Sequence, residues 1–394
     1  MSVSQLPEGK KARLESIDFI RGLAMIAMAL DHTRDYFGSR SLKFNLSDPS
    51  LGDGSLFFTR WLTHFAPPSF FFLAGVSAYF VATQSAKHTQ LIRWLVTRGL
   101  WLIFLELTIV YLGWHFNFRF EIIRLQTIFA LGVSMIALGA ISLLPLPAVG
   151  FVSAILIFGH NVFDKVSPSS FGAVDWIWNI LHVPESRIGS SPSFVVVYPV
   201  LPWIGVMAAG FAIAPIFSLG SALRRKILAI SGVLLLTTFF ILRSFNSYGD
   251  LVPWETKSTI WGSTFSFLNC TKYPPSLSFL LMTIGQTFLL LALAECVTLN
   301  KIRFVAVFGS VQLFFYLVHL YLIHGAALLL AWYQTGDFRW LLESFVDVKK
   351  PFEYGFGLLG VYVTTLILLL AFYPVCKRYA AFKRRCRGGW TSYL

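Results

Sequence analysis

Apolar residues run along this chain in long blocks, separated alternately by short basic segments and by longer polar loops. Ten blocks approach membrane length: Ile17–Phe37, Trp61–Thr83, Leu100–Gly113, Leu125–Leu144, Pro147–Phe163, Val195–Leu219, Ile227–Leu242, Leu277–Ala294, Phe304–Trp332 and Gly355–Cys376. A helix rises about 1.5 Å per residue, so roughly 20 apolar residues cross a hydrocarbon layer of about 30 Å. The third, fifth and seventh blocks need flanking residues to complete a crossing, and the ninth is long enough to tilt or break. The pattern predicts an all-α, polytopic transmembrane helical bundle of about ten spans, forming one membrane domain over residues 1–394.

Composition removes the alternative of a soluble fold. The chain is 56% apolar and 13% charged, with a mean hydropathy of +0.67, outside the range of soluble domains. Its formal net charge of +13 is concentrated at Lys10, Lys11 and Arg13; Lys87, Arg93 and Arg98; Arg224, Arg225 and Lys226; Lys301 and Arg303; and the run KRYAAFKRRCR from Lys377. With ten spans, all of these fall on the side of the amino terminus. The positive-inside rule then predicts a multi-pass protein of the cell (inner or plasma) membrane with cytoplasmic termini, residues 1–16 and 377–394 being basic tails. A basic face against anionic membrane lipid accounts for the charge without nucleic acid. No small-residue cleavage site follows the first basic cluster, so the first block reads as a retained span and not as a signal peptide. Cys270, Cys296, Cys376 and Cys386 show neither metal-site spacing nor a disulfide pattern. Asn45 and Asn269 head sequons in outer loops.

The first block carries chemistry at both ends. An uncharged stretch separates Arg21 from Asp31, yet the segment holds Asp18, Arg21, Asp31, His32, Arg34 and Asp35. Ionisable groups are costly in hydrocarbon and usually face a bundle interior, where they mark a pathway or a site. On a helical wheel Asp18, Arg21 and His32 fall within roughly 60° of one another. One face thus holds an acid and a cation near one surface and an imidazole about 21 Å along the axis from the acid. It reads as a channel leading to a site. Asp35, about 60° from His32, is the expected orienting partner, with Asp31 the alternative.

Other candidates are scattered. Pro67 and Pro68 in the second span bend it and bring His64 either to the cavity of His32 or to a plain interfacial role. Glu106, deep in the third span, must be protonated or paired, with Arg21 a possible partner and a structural role preferred. Lys272 and Tyr273 precede a double proline and form a rigid cationic rim or an interfacial anchor at the mouth of the eighth span. In the ninth, Gln312 and His319 share a face while His324 is turned about 140° away. Two histidines five apart are a poor metal pair, and no metal is expected.

The run SIDFIRGLAMIAMALDH closely resembles the first span of the bacterial membrane acyltransferases that O-acylate cell-surface sugars. Their signature is an Asp, an Arg-Gly and a histidine eleven residues beyond the Arg, the spacing of Arg21 and His32. The blocks RWLTHFAPPSFFFLAG, TRGLWLIFLELTIV, YPVLPWIGVMAAG, TKYPPSLSFLLMTIG and LFFYLVHLYLIH resemble a sister group, the bacterial relatives of heparan-alpha-glucosaminide N-acetyltransferase. Gly309, Ser310, Val311 and Gln312 depart from that group's Gly-Arg-Val-Pro, with serine in place of its arginine. No histidine matches the reactive histidine of the lysosomal enzyme, so His32 is carried over from the O-acylating motif alone.

The resemblance implies an acyl group, acetyl or longer, carried on coenzyme A in the cytoplasm and delivered to an outward-facing sugar or glycolipid. Arg21, with Asp18 beside it, and Arg93, Arg98, Arg224 and Arg225 are then the candidates to meet the anionic donor. His32 would act as general base or as an acylated nucleophile, the former preferred. Asp31, Asp35, His64, Glu106, Lys272, Tyr273, His319 and His324 complete the candidate set. The rival reading is a transporter or flippase for an envelope precursor, since charged spans and proline-broken helices also suit a substrate pathway. Against it, no pair of matching broken segments recurs in the two halves.

Overall fold

The computed structural model describes residues 15–39, 54–297, 303–342 and 350–386. Lys10, Lys11, Arg13, Asn45 and Lys301, noted in the sequence, lie outside these ranges. Each of the ten apolar blocks contains a helix. Eight helical rods among the described residues are long and apolar enough to cross a membrane. The other two blocks are the charged α1 (Glu15–Phe37) and the shorter α6 (Thr127–Ile141). The chain is a polytopic helical bundle.

The second block is two helices, α2 (Gly54–Thr63) and α3 (Ala66–Ala82). Pro67 and Pro68 lie in the first turn of α3, where a missing backbone N–H removes no intrahelical bond. The prolines start the second helix, and the expected bend falls at residues 64–65, directly before them, within one spanning rod, Gly54–Ala82. α4 (His88–Leu105) continues through a π-helical turn, Glu106–Val110, into α5 (Tyr111–His115). After α6 come α7 (Leu146–Gly159), with a 3-10 turn to Phe163, and the short α8 (Asp175–His182). α9 (Leu201–Ile213), α10 (Ser221–Phe245), α11 (Ile260–Leu268) and α12 (Leu277–Ala294) follow. The ninth block breaks at Val311 into α13 (Arg303–Ser310) and α14 (Gln312–Thr335). α15 (Leu358–Arg385) runs beyond the expected end of the last span, so residues 377–385 continue its helix.

One feature escapes an all-helical expectation. A small sheet of order β1-β3-β2 pairs β1 (Ile122–Leu125) parallel with β3 (Ser193–Val196), and β2 (Ser186–Ile188) antiparallel with β3. Val195 and Val196, expected to open the sixth span, are strand.

Reciprocal glycine contacts set the helix crossings. A Cβ on Gly22 of α1 would sit 2.0 Å from the Val305 carbonyl oxygen, and one on Gly309 of α13 would sit 1.9 Å from that of Asp18. Gly75 of α3 and Gly210 of α9 meet the backbones of Met207 and Phe72 at 1.9 and 2.0 Å in the same way. Lipid tails are as apolar as leucine, so close backbone approach and van der Waals contact, not apolar burial alone, hold such helices together. Trp203 of α9, fully buried, stacks on Phe71 of α3 with ring centroids 4.5 Å apart.

Candidate functional site

Two stripes line the bundle centre. On α1, Arg21, Met25, Met28 and His32 recur at helical spacing; on α14, Gln312, Tyr316 and His319 do the same. Both stripes run in the same direction between two cavities. At the Arg21 end lies a cavity of ≈ 440 Å³ bordered by Arg21, Arg98, Lys383 and Arg384, with Trp94, Ser77, Ser310 and Gln312 among its other walls. At the His32 end lies one of ≈ 220 Å³ bordered by Asp31, His32, Asp35, Arg124, Glu185, Lys272 and Tyr273. Met28, Phe70, Thr127 and Tyr316 border both, so these four side chains are the wall between them. By helix rise Arg21 and His32 stand about 16 Å apart along α1.

In the larger cavity Arg21 donates to the Leu73 carbonyl at 3.0 Å and to Ser77 Oγ at 2.5 Å, and lies 3.9 Å from Asp18. Anchored on α3, it presents a fixed charge. Arg98 sits over the Trp94 ring at 5.5 Å. Among the described residues four cations and no carboxylate border this space, an arrangement that attracts an anion and suits phosphate. Its ≈ 440 Å³ falls within the usual range of small-molecule sites.

The smaller cavity carries both signs. Arg34, buried, donates to Asp31 at 2.7 Å and to Asp35 at 2.9 Å, and Thr63 also donates to Asp31, at 3.0 Å. Lys350 donates to the carbonyls of Asp35 and Gly38 and so ties the end of α1. His32 Nδ1 lies 2.8 Å from His319 Nε2, and the His32 ring meets the Trp114 ring edge-on at 4.8 Å. The partner of His32 is therefore His319. The expected pairing with Asp35 or Asp31 is corrected, because Arg34 takes both carboxylates.

Lys272 and Tyr273 do reach this cavity. Their loop is held by Asp250, which accepts from Thr271 N and Oγ at 3.0 and 2.6 Å and from Ser276 Oγ at 2.7 Å. Lys272 Nζ lies 5.3 Å from the Tyr273 ring centroid. Burial pushes the Tyr273 hydroxyl up to about 12 despite its contact with Tyr198, so it stays protonated at neutral pH.

The remaining candidates are elsewhere. Glu106 accepts from the backbone N–H groups of Ile128 and Phe129 at 3.1 and 3.0 Å, capping the start of α6 from a neighbouring helix. Its postulated pairing with Arg21 is corrected; it fixes the helix end that carries Thr127 of the wall. His64 turns against Phe279, ring centroids 5.6 Å apart, and Thr63 borders the cavity instead. His324 donates through Nδ1 to the Gly113 carbonyl at 3.0 Å and packs on Phe116 at 4.1 Å, away from His32. Arg224 pairs with Glu295 at 2.5 Å and with the carbonyls of Phe217 and Leu219, and Arg225 lies beside Cys296; neither borders the basic cavity. Arg93 is exposed outside it. Sequence reasoning missed Lys383 and Arg384 because they were read as tail, and Arg124 and Glu185 because the sheet that positions them joins distant segments. Among the described residues no cluster of metal ligands occurs.

Fold and site together define a multi-pass membrane protein with a histidine-centred cavity and a cationic cavity that share a wall. The chain belongs to the family of the heparan-alpha-glucosaminide N-acetyltransferase catalytic domain, whose model matches residues 13–244, more than half of its length. It is a membrane acyltransferase. The match spans Arg21, His32, Arg98 and most of the wall, whereas Lys272, Tyr316, His319, Lys383 and Arg384 lie beyond it. No curated protein matches the sequence.

Proposed function

We propose that this protein, acting as one membrane domain, moves an acyl group, most simply acetyl, from coenzyme A in the basic cavity to a sugar or glycoconjugate in the cavity of His32. The observation that carries the reading is the shared wall of Met28, Phe70, Thr127 and Tyr316 between a cationic space and a histidine-bearing one. A donor whose phosphates meet Arg21, Arg98, Lys383 and Arg384 would direct its thioester along the two stripes toward His32. His32 would take the acceptor proton as general base. Positive-inside placement of Lys383 and Arg384 supports a cytoplasmic donor side and cytoplasmic termini in the cell membrane.

Purified protein in detergent, given acetyl-CoA labelled in the acetyl group with glucosamine or a cell-envelope extract, is expected to release free thiol and label the acceptor. His32→Ala is expected to abolish release. A requirement for sealed vesicles, with no thioester consumed in detergent, would replace this reading by transport.

A further inference from the structure

Which nitrogen of His32 carries the proton is decided by a neighbour. His319 Nδ1 lies 2.9 Å from the Phe315 carbonyl oxygen. A carbonyl only accepts, so Nδ1 of His319 is the protonated nitrogen and its Nε2 in the neutral ring holds a lone pair. That Nε2 is the atom 2.8 Å from His32 Nδ1. His32 must then donate through Nδ1, which leaves its own Nε2 unprotonated. Among the described residues no protein group bonds to His32 Nε2, and the ring borders the smaller cavity.

We propose that His319 is a positioning residue that locks His32 in the Nδ1–H tautomer and so presents Nε2 as the base. The inference rests on the acyl-transfer reading for its consequence, though not for the tautomer itself. A carboxylate commonly plays this part beside a catalytic imidazole. Here Asp31 and Asp35 are close in sequence but are bound by Arg34 at 2.7 and 2.9 Å. A neutral imidazole, itself fixed by a main-chain carbonyl one turn earlier, supplies the acceptor in their place. Stacking holds the relay flat: His32 and His319 rings are 5.0 Å apart at 15°, and His319 lies 5.1 Å from Phe315 at 18°.

In the step this serves, the acceptor O–H or N–H proton passes to His32 Nε2 while the acceptor atom bonds to the thioester carbonyl carbon. The C–S bond breaks, and coenzyme A leaves as thiolate with the electron pair. The proton on Nε2 then passes to that thiolate or to water. Throughout, Nδ1–H continues to donate to His319, so the imidazolium formed in the middle of the step keeps an acceptor.

The test uses the full chain in lipid nanodiscs with ¹⁵N-labelled imidazoles, the His32 signals being assigned by their loss in His32→Gln. The expected result is a protonated Nδ1 and a bare Nε2 on His32 in the wild type. His319→Gln, which still offers an oxygen to Nδ1–H, is expected to keep that tautomer and most turnover of acetyl-CoA with glucosamine. His319→Leu is expected to shift His32 toward the Nε2–H form and to lower kcat about 100-fold, with KM for acetyl-CoA changed less than about threefold. An Nε2–H tautomer in the wild type, or a His32 spectrum unchanged in His319→Leu, overturns the proposal. A correct tautomer in a protein that turns over no acetyl-CoA supports the relay and overturns the acyl-transfer reading alone.

Discussion

The two cavities differ in how their charges are committed. Around His32 almost every ionic group is matched: Arg34 binds both aspartates, and the imidazole is held by His319. At the Arg21 end, among the described residues, four cations and no carboxylate border the space. Chemistry needs fixed geometry, which paired and buried groups provide. Capture of an anion needs a field, which an excess of one sign provides. One helix serves both because residues four, seven and eleven positions apart fall on one face.

Removing the base should have the largest effect. His32→Ala is expected to lower kcat by at least about 100-fold while binding of acetyl-CoA is retained, measured by thiol release and by equilibrium binding. Retained turnover would dissolve the distinction between the cavities. Next, Met28→Trp enlarges a wall side chain that faces both spaces. It is expected to cut turnover roughly tenfold without weakening donor binding, because it obstructs the passage and touches no phosphate site. The pair Lys383→Ala and Arg384→Ala should raise KM for acetyl-CoA roughly tenfold, leave kcat near wild type and flatten the salt dependence of KM. Arg224→Gln provides the contrast among cations. It takes the guanidinium from the Glu295 carboxylate, which keeps only the neutral donor Ser16 of the two contacts, so thermal stability should fall, by about 3 kcal/mol in free energy, while KM for acetyl-CoA in the surviving protein stays within about twofold. A comparable rise in KM for Arg224→Gln would extend the donor field beyond the cavity.

Much of this was legible along the chain, and the omissions have physical causes. The apolar blocks announce spans because backbone polar groups must be satisfied internally in hydrocarbon, which leaves helix as the solution for long apolar runs. The stripe from Arg21 to His32 is legible because the helical period is fixed. Pairing was not. Asp35 looked like the partner of His32 by wheel angle alone, whereas Arg34, adjacent in sequence, reaches both aspartates and removes them from contention. Lys383 and Arg384 looked like solvent-facing tail because nothing local shows that α15 continues past the last apolar residue and returns to the bundle centre.

The sequence by itself determined a polytopic helical membrane protein, the helix that carries arginine and histidine on one face, and the resemblance to membrane acyltransferases. These depend on hydropathy, period and local motif, all of which are properties of contiguous residues. Only the tertiary structure decided that His319 meets His32, that Glu106 caps a helix, that a small sheet lends Arg124 to the cavity, and that Met28, Phe70, Thr127 and Tyr316 divide two spaces. Those outcomes depend on which helices cross, and the crossings are set by backbone contacts at Gly22 with Gly309 and Gly75 with Gly210. The residues in each pair lie far apart in the chain, and a glycine carries no local mark of the helix it will meet.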